Sequence, residues 1–179
     1  LRATLAGASQ WSDPASDPIA ATLAMFDLML IRPNVGIFGR ATWTKFRQHP
    51  KVVAAVLNAN NGNGGAAAAG LAARRAVADL LELDEIYIGE SFVNSSKKGQ
   101  AAAYARLWGK HAAFVRLERS VRDPRGSLPT FAFTAQWGGR VAGTIDAPKQ
   151  GLLGSQIVRV GEQVKELVPF QEAGCFFQN

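Results

Sequence analysis

The sequence predicts an α+β fold on three observations. Apolar residues recur at helical spacing through the first hundred residues, strict alternation takes over from about Leu107, and the two regimes do not interleave as a repeating βαβ wind requires.

Asp17 followed by Pro18 starts the first helix, an N-cap acceptor and then a residue whose fixed φ suits the opening turn. Between Pro18 and Ile31 only Thr22 and Asp27 interrupt an apolar or prolyl run. Ile19, Leu23, Phe26 and Leu30 make one stripe, while Met25, Leu28 and Met29 lie off it, so the helix has a second apolar side. It should stop by Arg32, because Pro33 disfavours the α conformation before it. "NVGIFG" (34–39) reads as a short buried strand. "RATWTKFRQHP" follows as a short helix anchored by Trp43 and Phe46, and a further turn or two carries Val53, Val56 and Leu57. "NANNGNGG" (58–65) is a polar loop. "AAAAGLAARRAVADLL" is a second helix, with Ala73, Val77, Leu80 and Leu81 on one side and Arg74 and Arg75 on another. "EIYIG" (85–89) is a strand and "NSSKKGQ" a loop.

Later, "AAFVRL" alternates, and "TFAFTAQW" does so cleanly, with Phe131, Phe133, Ala135 and Trp137 on one face and Thr130, Thr134 and Gln136 on the other. "QIVRV" and "VKELV" continue as short strands. No internal repeat is present.

A chain of 179 residues suffices for one domain with a real core or for two small lobes. With 47% apolar and 19% charged residues the composition is that of a soluble globular protein, and the apolar runs fall short of the ~20 residues of a membrane span. Neither a transmembrane helix nor a signal peptide is expected. Opening on Leu1 directly into "LRATLAG", the sequence reads as the surviving part of a longer protein. The lone Cys175 rules out an internal disulfide framework or a cysteine metal cluster, and is expected as a small half-buried hydrophobe. A formal charge of +6 suits a surface facing polyanion.

Catalytic and cofactor patterns are sparse. Gly62, Gly64 and Ala67 of "GNGGAA" match a dinucleotide fingerprint, with Glu90 at the end of the next strand as the acidic partner. Yet "NANN" precedes them in place of a hydrophobic strand, and no later βαβ units follow. A nucleotide-binding α/β enzyme fragment using the Gly62–Gly65 loop is therefore the alternative reading. His49 and His111 lack a second ligand at metal spacing and are expected on the surface. Ser91 in "GESFV" lacks the flanking glycines of a nucleophile elbow. Accordingly no catalytic, cofactor-binding or metal residue is assigned, no cofactor is expected, and the chain is not expected to be an enzyme. Arg106, Lys110, Arg116, Arg119, Arg122 and Arg125, interleaved with Trp108 and Phe114, form a basic cluster that could face phosphate. A set of solvated alternate residues and a "DPRG" turn is the simpler explanation and the preferred one.

Taken in order, "QWSDPASDP", "RPNVGIFGRATWTKFRQHPKV", "ELDEIYIGESFVNSSKKGQ", "LWGKHAAFVRL" and "EAGCFF" resemble the major capsid proteins of tailed bacteriophages. The resemblance runs from Gln10 to about Phe177. It implies the shell fold shared with encapsulins: a peripheral domain with a spine helix and an axial domain near the capsomer axis. On that mapping residues 1–33 belong to the peripheral domain, with Pro18 to Ile31 as the spine helix, 34–133 to the axial domain, and 134–179 to strands returning to the peripheral domain. An N-terminal arm and extended loop would precede residue 1.

The implied function is that of a structural subunit of an icosahedral phage or prophage shell around a DNA genome, located in the virion and assembled in the bacterial host cytoplasm. Its implied partners are other copies of itself, scaffold or portal proteins, and packaged DNA through non-specific contacts, with no membrane. Such a subunit accounts for the Pro18 helix, part of whose apolar surface neighbouring chain would cover. Each large apolar side chain kept from water contributes ~1.5–3 kcal/mol, against a net domain stability of only ~5–15 kcal/mol.

Overall fold

A computed structural model describes residues 1–59, 70–119, 129–152 and 154–178. They form two compact units, one of residues 1–131 with 170–179 and one of residues 132–169. The α+β class holds: helices and a mixed sheet share the first unit, and the second is all strand.

Five strands make the sheet of the first unit: β1 (Arg2–Thr4), β2 (Val35–Gly39), β3 (Glu85–Gly89), β6 (Ala112–Val115) and β9 (Gly174–Gln178), in the order β1-β9-β6-β2-β3. β1 runs parallel to β9 and β2 parallel to β3, while β6 is antiparallel to both of its neighbours. A parallel pair needs a long crossover. Here it contains α2 (Arg40–Gln48), α3 (Pro50–Ala59) and α4 (Arg74–Leu80). Beside this sheet, β4 (Phe92–Asn94) and β5 (Tyr104–Arg106) form a small hairpin, with "NSSKKGQ" between them as expected for a loop.

The core is aromatic and drawn from distant segments. Phe38 of β2 lies 5.4 Å from Trp43, 5.4 Å from Phe46 and 5.3 Å from Phe114. Trp11 meets Phe46 at 5.0 Å and Phe177 at 5.1 Å. Tilted and edge-on rings at these separations add to their area burial. Phe26 closes the cluster from α1 (Pro18–Asp27), 5.0 Å from Phe114.

Asp17 caps α1 as expected, its Oδ1 accepting from Ala20 N–H at 3.0 Å. The helix stops at Asp27, four residues short of Ile31, and only Pro18, Thr22 and Phe26 are fully buried in it. Ile19, Leu23 and Met25 pack partly against the core, and Met29 is buried just beyond the helix. Leu28 and Leu30 are left 68% and 71% exposed. The turn or two expected near Val53 is a full ten-residue helix, α3, whose buried face is Val52 and Val56. α4 begins only at Arg74, residues 71–73 before it being extended or irregular; the part of the expected helix at Ala66–Ala69 lies outside the described residues. Val77, Ala78 and Leu81 are its buried side.

The second unit is a long antiparallel hairpin, β7 (Phe133–Ala147) with β8 (Ser155–Leu167). "QIVRV" and "VKELV" belong to one strand rather than two, since β7 continues as a partner past Gly161. A bulge between Trp137 and Val141 shifts the register, and Gly138 occupies it at φ +72°, a conformation glycine adopts without steric cost.

Candidate functional site

Three of the sequence blocks quoted above meet at one spot. Gly39 and Gly89 are in register at the ends of β2 and β3, and "WGK" folds over the pair. A side chain at Gly39 would collide with the Gly109 carbonyl, and a Cβ at Gly89 would sit 2.9 Å from that of Trp108. Gly39 N–H donates to the His111 carbonyl at 2.9 Å, holding the "WGK" segment against the sheet. This geometry needs glycine for close approach and supplies no reactive group.

Asn34 of "RPN" performs a similar joining role. Its Oδ1 accepts from Leu117 N–H at 2.8 Å, and its Nδ2 donates to the Leu117 carbonyl at 3.0 Å and to Asp84 Oδ2 at 3.1 Å. Its own carbonyl accepts from Asp84 N–H at 2.8 Å. The side chain thus prolongs the β2–β6 ladder and ties in the approach to β3.

His49, expected on the surface, is 3% exposed. Nε2 faces the Asp13 carbonyl at 3.0 Å and so carries the hydrogen, while Nδ1 accepts from Lys51 N–H at 3.3 Å. Ser16 Oγ lies 3.2 Å from Nε2. The imidazole therefore joins the "SDPAS" loop to the start of α3, a structural task for the "HP" block. Burial comes from a loop 33 residues or more away, which local sequence does not announce. His111 is half-buried against Phe176, at 5.3 Å between rings.

The basic cluster does not act as one surface. Phe114 is fully buried in the core, and Trp108 lies over the glycine pair. Arg106 stacks 4.6 Å above Phe92, and Arg116 lies 3.7 Å from Glu118. Arg119 grips Glu85 through both oxygens, at 3.0 and 2.7 Å, and its Nη2 also donates to Tyr87 Oη at 2.6 Å. Tyr87 in turn donates to Glu85. Hydrogen bonds from Arg119 and then Tyr87 hold the Glu85 carboxyl down to about 2, and the same contacts raise the Arg119 guanidinium above its ordinary range. Arg122 and Arg125 lie outside the described residues.

For the nucleotide reading, Gly62, Gly64 and Ala67 also lie outside the described residues, and the Glu90 carboxylate is taken by Arg40 at 2.8 Å. Among the described residues no group of three or more His, Cys, Asp or Glu could hold a metal, and no helix is long and apolar enough to cross a membrane. Cys175 is buried between neighbouring strands, and burial pushes its thiol up to about 11.

The feature that stands out is the hairpin. Phe133, Trp137, Val141 and Ile145 share one face of β7, and Val158, Val160 and Val164 share the opposite face of β8. All seven are exposed, Trp137 by 82%. The alternation of "TFAFTAQW" sorts its residues onto two faces, and both carry exposed large apolar side chains. An isolated two-stranded hairpin is marginal in water, so these faces are candidate contact surfaces. Sequence periodicity found the strand but carries no information on which face finds cover.

Comparison with known proteins bears on which role these surfaces serve. Residues 1–90 match the family model described as phage major capsid protein E. A major capsid protein of Pseudomonas phage JBD67 is 44% identical over 176 residues, 98% of this chain and 54% of that protein. The chain thus spans about half the length of this curated relative. A crystal structure of a phage-related protein from Bordetella bronchiseptica RB50 shares the fold, with TM-score 0.71 and 20% identity across 99% of this chain and 55% of that one. The chain belongs to the phage major capsid protein E family.

Proposed function

We propose that this chain is part of a structural subunit of an icosahedral bacteriophage or prophage shell enclosing a DNA genome, acting through contacts between copies and without catalysis. The observation that carries this reading is the hairpin of residues 133–167, with large apolar side chains wet on both faces in a member of a capsid family. Copies arranged by symmetry repeat each contact many times, so modest individual contacts suffice.

In this reading the hairpin belongs to the peripheral part of the subunit, and residues 34–131 to the axial part. We assign residues 1–33 and 170–179 to the axial part as well; the support for this is that they share its sheet and its core. The subunit resides in the virion shell and assembles in the host cytoplasm, with scaffold or portal proteins as further partners. A net charge of +6 supports non-specific contact with packaged DNA. Binding to random duplex DNA should weaken steeply with salt; absent or salt-insensitive binding removes that partner.

Electron microscopy of the full-length gene product tests the main reading. Closed particles or capsomer rings are expected, and a product that stays monomeric at high concentration overturns it.

A further inference from the structure

From the open side of β3, we infer that the groove between this strand and α4 docks an extended segment of another polypeptide, which joins the sheet as a further strand and carries a carboxylate near one end and a cation near the other. Of the two edge strands of the five-stranded sheet, β1 is three residues long, and shortness itself protects an edge. β3 has five residues, with no lysine, proline or bulge to discourage pairing, and its isoleucines and tyrosine favour the extended form. Glu85 N–H points toward β2, donating to the Asn34 carbonyl at 3.3 Å. Strand alternation therefore turns the backbone N–H and C=O of Ile86 and Ile88 to the outer side, where no strand among the described residues pairs with them.

The groove encloses about 520 Å³. Ile86 and Tyr87 line it from β3, and Arg74, Arg75 and Asp79 from α4. A helix standing beside an open strand edge makes a slot in which an added strand gains main-chain hydrogen bonds on one side and side-chain contacts on the other. Charge sets which segment fits. α4 leads through a short turn into β3 and so runs back along it, which places Arg74 and Arg75 at one end of the groove and Asp79 with Asp84 at the other. Arg74, Arg75 and Asp79 are exposed and have no ion-pair partner among the described residues, while Asp84 accepts from Asn34 Nδ2 at 3.1 Å. The complement is an extended chain with a carboxylate at the arginine end and a lysine or arginine at the aspartate end. Neither the family match nor the shell reading enters this assignment.

Fluorescence anisotropy of fluorescein-labelled pentapeptides titrated with the full-length protein, at fixed ionic strength, tests it. Lys-Val-Thr-Val-Glu and Glu-Val-Thr-Val-Lys serve the two strand directions, and saturable binding of one of them is expected. Two successive prolines within that peptide remove an N–H from each of its edges and should abolish binding. Arg74→Gln with Arg75→Gln should weaken it roughly threefold to tenfold, the loss expected of one or two exposed ion pairs. Lys97→Gln with Lys98→Gln removes the same charge from the exposed loop between β4 and β5 and should leave binding unchanged. Residue-resolved hydrogen exchange adds a readout of strand pairing itself, in which the amides of Ile86 and Ile88 should slow when peptide is bound. No saturable binding of either peptide, unchanged exchange at Ile86 and Ile88, or equal losses in the two double variants overturns the inference. Slowing of those amides by raised protein concentration without peptide also overturns it, since the occupant is then a second copy.

Discussion

Asn34 holds together chain segments that sequence distance keeps apart, with Leu117 83 residues away and Asp84 50 away. Removing its amide strands the half-buried Leu117 backbone, so Asn34→Ala is expected to cost about 1–3 kcal/mol in urea denaturation. Glycines divide by surroundings in the same way. Gly39→Ala forces a Cβ into the Gly109 carbonyl and should cost about 1–3 kcal/mol or more. Gly161→Ala meets nothing within 4 Å and should stay within about 0.5 kcal/mol in the same assay. Cys175 is buried, and burial pushes its thiol up to about 11. Alkylation followed by mass spectrometry at pH 8 should therefore be slow on native protein and fast in denaturant. Sequence revealed Cys175 as a small apolar residue because its neighbours are phenylalanines. It did not reveal the burial of His49, since the covering atoms are the backbone and hydroxyl of another loop.

Among the elements, β3 owes part of its pH response to Glu85. Its folded value of about 2 lies below the ordinary 4.5, so the native state favours the ionised form. Its contribution is fully present above pH 4.5 and is lost as pH falls toward 2. Glu85→Gln should flatten the stability profile within that window and leave it parallel to wild type above it, as acid titration followed by circular dichroism would show. Helix starts were legible because capping chemistry is local: Asp17 and Pro18 set the first turn of α1 as read. Helix ends were less so. α1 stops at Asp27 although Ile31 would extend the apolar pattern, because Met29 turns into the core while Leu28 and Leu30 face solvent. In α3 the expected Val56 is buried, but its buried partner is Val52 rather than Val53 or Leu57, a phase that tertiary packing sets.

At the scale of the whole molecule, the motif order proved readable because its aromatics, Trp11, Phe38, Trp43, Phe46, Phe114 and Phe177, are one core distributed along the chain. The two units were less readable, for alternation looks alike in a strand that is covered and one that is not. Their separate character leads to a further expectation. Trp137→Ser with Val158→Ser, one change on each face of the hairpin, should leave the unfolding of the first unit within about 0.5 kcal/mol while abolishing particles in electron micrographs. The position of β9 bears on biosynthesis. Residues 174–178 sit between β1 and β6 and complete the core through Phe177. A ribosome adding about 5–20 residues per second thus holds an unfinished sheet until that strand emerges. A polypeptide stalled before it offers proteases and chaperones an open core, so the cell can discard incomplete copies before they meet finished ones.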